Sequence, residues 1–189
     1  MYWKFFGVSL GCMVLTCVGC KRVTLPSSSA VASLDACALI TRAEIEATQG
    51  SSVKDIKNST TTGGGFRVSQ CFYGTAEFNK SVSLAVTQRD PAKPSNRSAR
   101  DHWEEMFNPN EEKERGEAEN HEREEEAVTP PRKIDGVGED ARWTVMRFGG
   151  ALYVLKKDAF MRISVGGGND EESRINRSKT LALKALGRL

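Results

Sequence analysis

Val82, Leu84 and Val86 alternate with Ser83, Ala85 and Thr87, the two-residue period of a strand that buries one face. Residues 66–73 (FRVSQCFY) have strand-like content too, with the alternation broken near Cys71, where a bulge is expected. A turn around Asn79 and Lys80 joins the two segments into a hairpin. Three more strand segments occupy residues 143–146, 152–155 and 160–165. Lys156-Lys157-Asp158 turns the second into the third, in which Met161, Ile163 and Val165 face one way and Arg162 and Ser164 the other. Gly166-Gly167-Gly168 ends it.

Helical signals fall between these strands. Thr41-Arg42-Ala43-Glu44 has capping-box spacing, so a short helix should run to about Thr48 and stop at Gly50. Residues 95–107 read as a second helix, bounded by Pro94 and Pro109, with Trp103, Met106 and Phe107 as core contacts. A last helix begins near Asn169 or Asp170. Ser178, Leu181, Ala182, Ala185, Leu186 and Leu189 form its apolar stripe, led by acidic residues and ended by Lys184 and Arg188, as the helix dipole favours. Residues 57–65 (KNSTTTGGG) read as a mobile hairpin loop; no Gly-Lys-Ser/Thr follows the glycines, so a nucleotide loop is not supported. The order of elements predicts an α+β domain: a mainly antiparallel sheet of about five or six strands, covered by helices and ending in a C-terminal helix.

Before the domain, residues 1–4 carry a positive charge and residues 5–19 (FFGVSLGCMVLTCVG) carry none, the layout of a signal peptide. Fifteen apolar residues fall short of the roughly 20 a membrane-spanning helix needs. Cys17-Val18-Gly19-Cys20 resembles the lipobox of bacterial lipoproteins, with Gly19 before the cleaved bond and Cys20 as the lipidated residue; Cys17 stands where the lipobox prefers Leu. Lipidation at Cys17 would place Thr16 at the cleavage position, and at Cys12 would leave an apolar stub, so Cys20 is the choice. Each buried CH₂ adds about 0.8 kcal/mol of membrane affinity, and several acyl chains hold a water-soluble domain at a bilayer. Lys21, rather than Asp, follows Cys20, which by resemblance implies the outer membrane in a Gram-negative source. Gly7-Val8-Ser9-Leu10-Gly11 satisfies the nucleophile-elbow pattern, but without the strand-turn-helix context and partners that motif needs.

Charge and composition then set the organisation. Residues 1–19 read as the signal peptide, 20–34 as the lipidated cysteine and a flexible Ser-rich tether, and 35–189 as one domain. Within it, residues 111–126 hold nine acidic and three basic residues with almost nothing apolar, an exposed segment that adds little to a core. Across the chain 27 basic residues face 25 acidic ones, a formal charge of +2, so no nucleic-acid partner is expected.

Cys37-Ala38-Leu39-Ile40-Thr41-Arg42-Ala43-Glu44-Ile45 resembles the opening of a group of uncharacterised bacterial lipoproteins, whose mature domains begin Cys-Ala-Leu-Leu-Thr-x-x-Glu-Val. Cys71-Phe72-Tyr73 is similar to their second cysteine before an aromatic. Gly136-Val137-Gly138-Glu139-Asp140-Ala141 is similar to a glycine-acidic-Ala turn that leads into a strand. The resemblance implies the fold, an envelope location and a Cys37–Cys71 disulfide, and transfers no activity. The compartment agrees, because exported domains sit where disulfides persist. Such a bridge closes a loop of about 34 residues and contributes about 3 kcal/mol by the chain-entropy model. Two buried free thiols are the alternative.

Candidate chemistry is sparse. Two histidines, His102 and His121, leave few arrangements for metal or triad chemistry. If the acidic segment is helical, Glu117, His121 and Glu125 share a face and could ligate a divalent ion; a solvated charged face is the blander reading. Trp143, Phe148, Tyr153 and Phe160 fit core or cross-strand pairs better than a ligand groove. Arg142, Arg147 and Arg162 share the polar sheet face and suit an acidic partner. The sequence favours a lipid-anchored envelope lipoprotein with a non-enzymatic binding domain, no cofactor, and a membrane and an envelope protein as partners. The competing reading is an envelope hydrolase or metal-dependent enzyme, which needs His102 or His121 within hydrogen-bond reach of a serine or carboxylate.

Overall fold

The computed structural model describes residues 33–93, 96–108, 129–146, 149–168 and 170–189. Its first elements form where short polar residues stand ahead of helix formers. Asp35 caps α1 (Ala36–Leu39) by accepting from the Cys37 N–H at 2.9 Å. Thr41 then opens α2 (Arg42–Gln49): its hydroxyl accepts from the Glu44 N–H at 3.3 Å, and the Glu44 carboxylate accepts from the Thr41 N–H at 2.8 Å. Two otherwise orphaned donors are thereby satisfied. Gly50 stops the helix in the left-handed region, with φ 60°.

One antiparallel sheet follows. Strands β1 (Val53–Gly63), β2 (Phe66–Thr75) and β3 (Val82–Arg89) form a meander, and α3 (Ala99–Phe107) precedes a second one on the far side. There β4 (Arg132–Lys133), β5 (Asp140–Met146), β6 (Gly149–Lys156) and β7 (Ala159–Val165) return toward the middle, so that β7 pairs with β3. The spatial order is β1-β2-β3-β7-β6-β5-β4, and α4 (Glu171–Leu186) closes the chain. The α+β class and the C-terminal helix are as expected.

Seven strands stand where five or six were expected. One addition, β4, has two residues, too few to show a period. The other corrects the reading of residues 57–65 as a mobile loop: through Gly63 they belong to β1, paired residue by residue with β2 from Asp55↔Gly74 to Gly63↔Phe66. As an edge strand exposed along most of its length, β1 needs no apolar alternation, while its Ser and Thr residues suit extended backbone. The expected bulge near Cys71 is also corrected. Pairing runs unbroken through Cys71↔Leu84, and the register shift lies between Val53 and Asp55. What breaks the apolar pattern there is Phe72, an aromatic on the opposite face from buried Cys71 and Tyr73.

The main core lies on one face of the sheet, beneath α1, α2 and α4. Val82, Leu84, Leu152, Val154, Met161 and Ile163 are fully buried there against Leu181, Ala182 and Ala185 of α4. Complete burial of each large aliphatic side chain contributes about 1.5–3 kcal/mol. On the other face, α3 covers one end. Ser98 and Asp101 form its capping box, so it starts later than residue 95, and Trp103 is its buried anchor. Phe107 packs on that anchor, whereas Met106, expected in the core, is 37% exposed because it points off the inner stripe. Among the described residues no helix is long and apolar enough to cross a membrane.

One turn of the resembling motif needs its glycine. Gly138 has φ 62°, and a Cβ there would lie 2.5 Å from the Leu155 carbonyl oxygen. That carbonyl accepts from the Glu139 N–H at 2.9 Å, so β5 can start only if the backbone passes this close to β6.

Candidate functional site

Because side chains alternate along each strand, residues on the second face line up in rows across the sheet. One row runs Thr61, Val68, Thr87, Phe160, Leu155, Asp140. This row lies at the end that α3 covers: Trp103 packs 6.0 Å from Phe160, and Phe107 stands 4.5 Å from Trp103 and 5.2 Å from Tyr153, ring centre to ring centre. Ala99 N–H donates to Asp158 at 2.7 Å, and the Trp103 indole donates to Asp140 at 3.4 Å. The helix is held at both its start and its middle.

The next row is Ser59, Gln70, Ala85, Arg162, Tyr153, Arg142. Here the pattern expected of Arg142 and Arg162 is correct, since both share the polar face and flank Tyr153. Their situations differ. Arg142 is committed to Asp140 through two donors, at 3.1 and 3.2 Å. Arg162 donates to the Met146 thioether at 3.4 Å and lies 6.0 Å from the Tyr153 ring centre, and no described carboxylate pairs with it.

Arg162 lines a shallow concavity of about 370 Å³ together with Ser81, Ser83, Ser164 and Met146. The Ser164 hydroxyl donates to the Gly150 carbonyl at 3.2 Å, and Ser81 Oγ accepts from the Thr75 N–H at 3.3 Å. Ser83 and Ser164 are direct cross-strand partners on β3 and β7. The arrangement offers one guanidinium and neighbouring hydroxyls inside a partly apolar wall, chemistry that holds a small anion and does not activate a nucleophile.

His102 lines a second concavity, of about 360 Å³, with Phe66, Val68, Thr87, Arg97 and the glycines at the end of β1. Its ring stacks on Phe66 at 5.3 Å and leans on Phe160 at 5.8 Å. The Glu105 carboxylate is 4.0 Å from Nδ1, beyond hydrogen-bond reach, and no other described carboxylate pairs with the ring. Packing therefore accounts for this histidine.

Cys37 and Cys71 form a disulfide, with sulfurs 2.02 Å and Cα atoms 5.0 Å apart, joining α1 to β2. Beside it, the Tyr73 hydroxyl donates to the Ile40 carbonyl at 2.8 Å, and burial pushes the phenol up to about 12. Arg188, past the end of α4, makes a two-pronged bridge to Glu44 at 2.8 and 2.9 Å and also donates to the Leu39 carbonyl at 2.8 Å. The guanidinium holds the Glu44 carboxyl down at about 2, from an ordinary 4.5, with the capping N–H of Thr41 adding to the effect. The expected role of Arg188 as a helix-dipole charge is thus secondary to this clasp.

The aromatic set divides. Trp143 is buried on the first face, whereas Tyr153 and Phe160 lie on the second, so Trp143 shares no groove with them. Cys20, Glu117, His121, Glu125, Arg147 and Phe148 lie outside the described residues. Among the described residues no group of three His, Cys, Asp or Glu side chains is placed to hold a metal. The sequence shows the polar face but not which of its arginines is unpaired among the described residues: the signal for Arg162 is the absence of an acidic residue opposite it, which depends on strand register. Comparison with protein-family models, curated proteins and solved structures returns no significant match.

Proposed function

We propose that this protein is a bacterial envelope lipoprotein, anchored through a lipid on Cys20, whose domain works by binding a partner at the open part of its second sheet face. The observation that carries the reading is that α3 covers one end of that face and leaves the rows through Arg162 and Ser164 half-exposed, with a guanidinium unpaired among the described residues. An exported address is supported by the signal-like residues 1–19, the lipobox-like Cys17-Val18-Gly19-Cys20 and the Cys37–Cys71 bridge, a bond that persists in oxidising compartments. A binding role is supported by the hydroxyls of Ser83 and Ser164 that stand beside the Arg162 guanidinium on the open part of the face.

The test uses a photo-crosslinking amino acid at Ala85, beside Arg162 on the open face, and at Leu183, exposed on α4. Irradiated intact cells should give one discrete adduct from position 85 and none from 183. No adduct at 85, or the same adducts from both, refutes the binding face. In the same cells Cys20→Ser should release the protein from the membrane fraction, and retention refutes the anchor.

A further inference from the structure

We infer that the Arg162 concavity is a carboxylate-binding subsite, and that its ligand is an acidic side chain or chain end of a protein partner. This deepens the proposal that the open face binds, and rests on it. Arg162 sits on β7, between β3 and β6 near the middle of the sheet, flanked in sequence by fully buried Met161 and Ile163. Its backbone is therefore fixed. The Tyr153 ring lies 6.0 Å from the guanidinium, and the Met146 thioether meets one of its nitrogens at 3.4 Å. Neither contact neutralises the charge, and a thioether is a poor acceptor for an ionised donor.

A planar fork with free N–H groups matches the two oxygens of a carboxylate. One cation balances one negative charge, which a carboxylate carries and a phosphate monoester exceeds. Ser83 stands across from Ser164 on the same wall. A hydroxyl donor thus lies beside the guanidinium on the wall the anion would meet. Met146 makes part of that wall apolar, which lowers the local dielectric and strengthens the pairing. The neighbouring Arg142 cannot substitute, because Asp140 already occupies it.

The full chain in detergent is titrated with an acetyl-capped hexaglutamate peptide, with hexaglutamine as the uncharged control. Arg162→Met keeps the stem and removes the charge; it should weaken hexaglutamate binding at least tenfold, with Arg162→Lys intermediate. Lys179→Met, which removes one positive charge from α4, should change affinity less than twofold. Unchanged affinity in Arg162→Met, equal losses in both methionine variants, or no hexaglutamate binding overturns the subsite. Displacement by inorganic phosphate at equal concentration, or Arg162-dependent binding to anionic phospholipid vesicles in place of the peptide, overturns the carboxylate assignment. The crosslink at position 85 separates the two levels of the proposal. If it persists in Arg162→Met cells while hexaglutamate binding is insensitive to the substitution, the open face binds its partner by other means and only the subsite fails.

Discussion

Glu44→Gln removes the charge that joins the start of the domain to its end while leaving an oxygen able to cap Thr41. In the native chain Arg188 grips both Glu44 oxygens, and Lys184 stands 3.7 Å from one of them. Moving a carboxyl from 4.5 to about 2 corresponds to about 3 kcal/mol of linked stability at full strength. Arg188 is 38% exposed, so solvent screens the bridge and the expected loss is about 1–2 kcal/mol at neutral pH. The sign follows from a depressed folded value. The stabilisation is complete above 4.5 and disappears as pH falls through about 2. Urea denaturation of both proteins, disulfide intact, should show the gap at pH 7 and little of it near pH 2. A gap of the same size at both ends would mean that shape or capping, rather than charge, explains Glu44. Adding Arg188→Met completes a double-mutant cycle, in which a coupling energy near zero would independently remove the clasp from the account.

Reduction, or Cys37→Ala, should lower unfolding free energy by about 3–4 kcal/mol, since the bridge spans a separation of 34 residues; a urea midpoint unmoved by reductant would refute it. Gly138→Ala should cost about 2 kcal/mol or more in the same assay, from the positive φ and the contact with the Leu155 carbonyl, whereas Gly63→Ala, whose Cβ would meet nothing within 4 Å, should stay within about 0.5 kcal/mol. Equal effects at the two glycines would reject the turn argument.

Legibility in the sequence followed burial. The strands through Val82 and Met161 were readable because each has one face in the core, which imposes a two-residue period on their side chains. Thr41 and Glu44 announced their helix through backbone hydrogen bonding that is local in sequence. By contrast, β1 is specified by its partner: with both faces largely solvated at the sheet edge, its residues carry no period, and only the run of Ser and Thr distinguishes it from a loop. The same holds for the candidate site. Arg142 and Arg162 look equivalent in sequence, and what separates them is that Asp140 lies two residues from Arg142 on its own strand face, while the strands beside Arg162 present Ala85 and Tyr153. Charge pairing across a sheet is a property of register, which depends on how distant segments align.

The two faces of the sheet are unequal, and the inequality bears on binding. On the first face, α1, α2 and α4 are joined to the sheet and to one another by the core, the disulfide and the Glu44–Arg188 clasp. Every strand that contributes to the open rows between β2 and β6 has its alternate residues locked in that core. A partner that meets Arg162, Ser83 and Ser164 therefore meets side chains whose backbone is already ordered, so little conformational entropy remains to be lost on association. The clasp and the disulfide then act on binding only through global stability. Glu44→Gln at neutral pH should destabilise the fold while leaving the affinity of the folded fraction for hexaglutamate unchanged, and an affinity loss in Glu44→Gln matching that of Arg162→Met would show that the two faces are coupled and that the platform is not rigid.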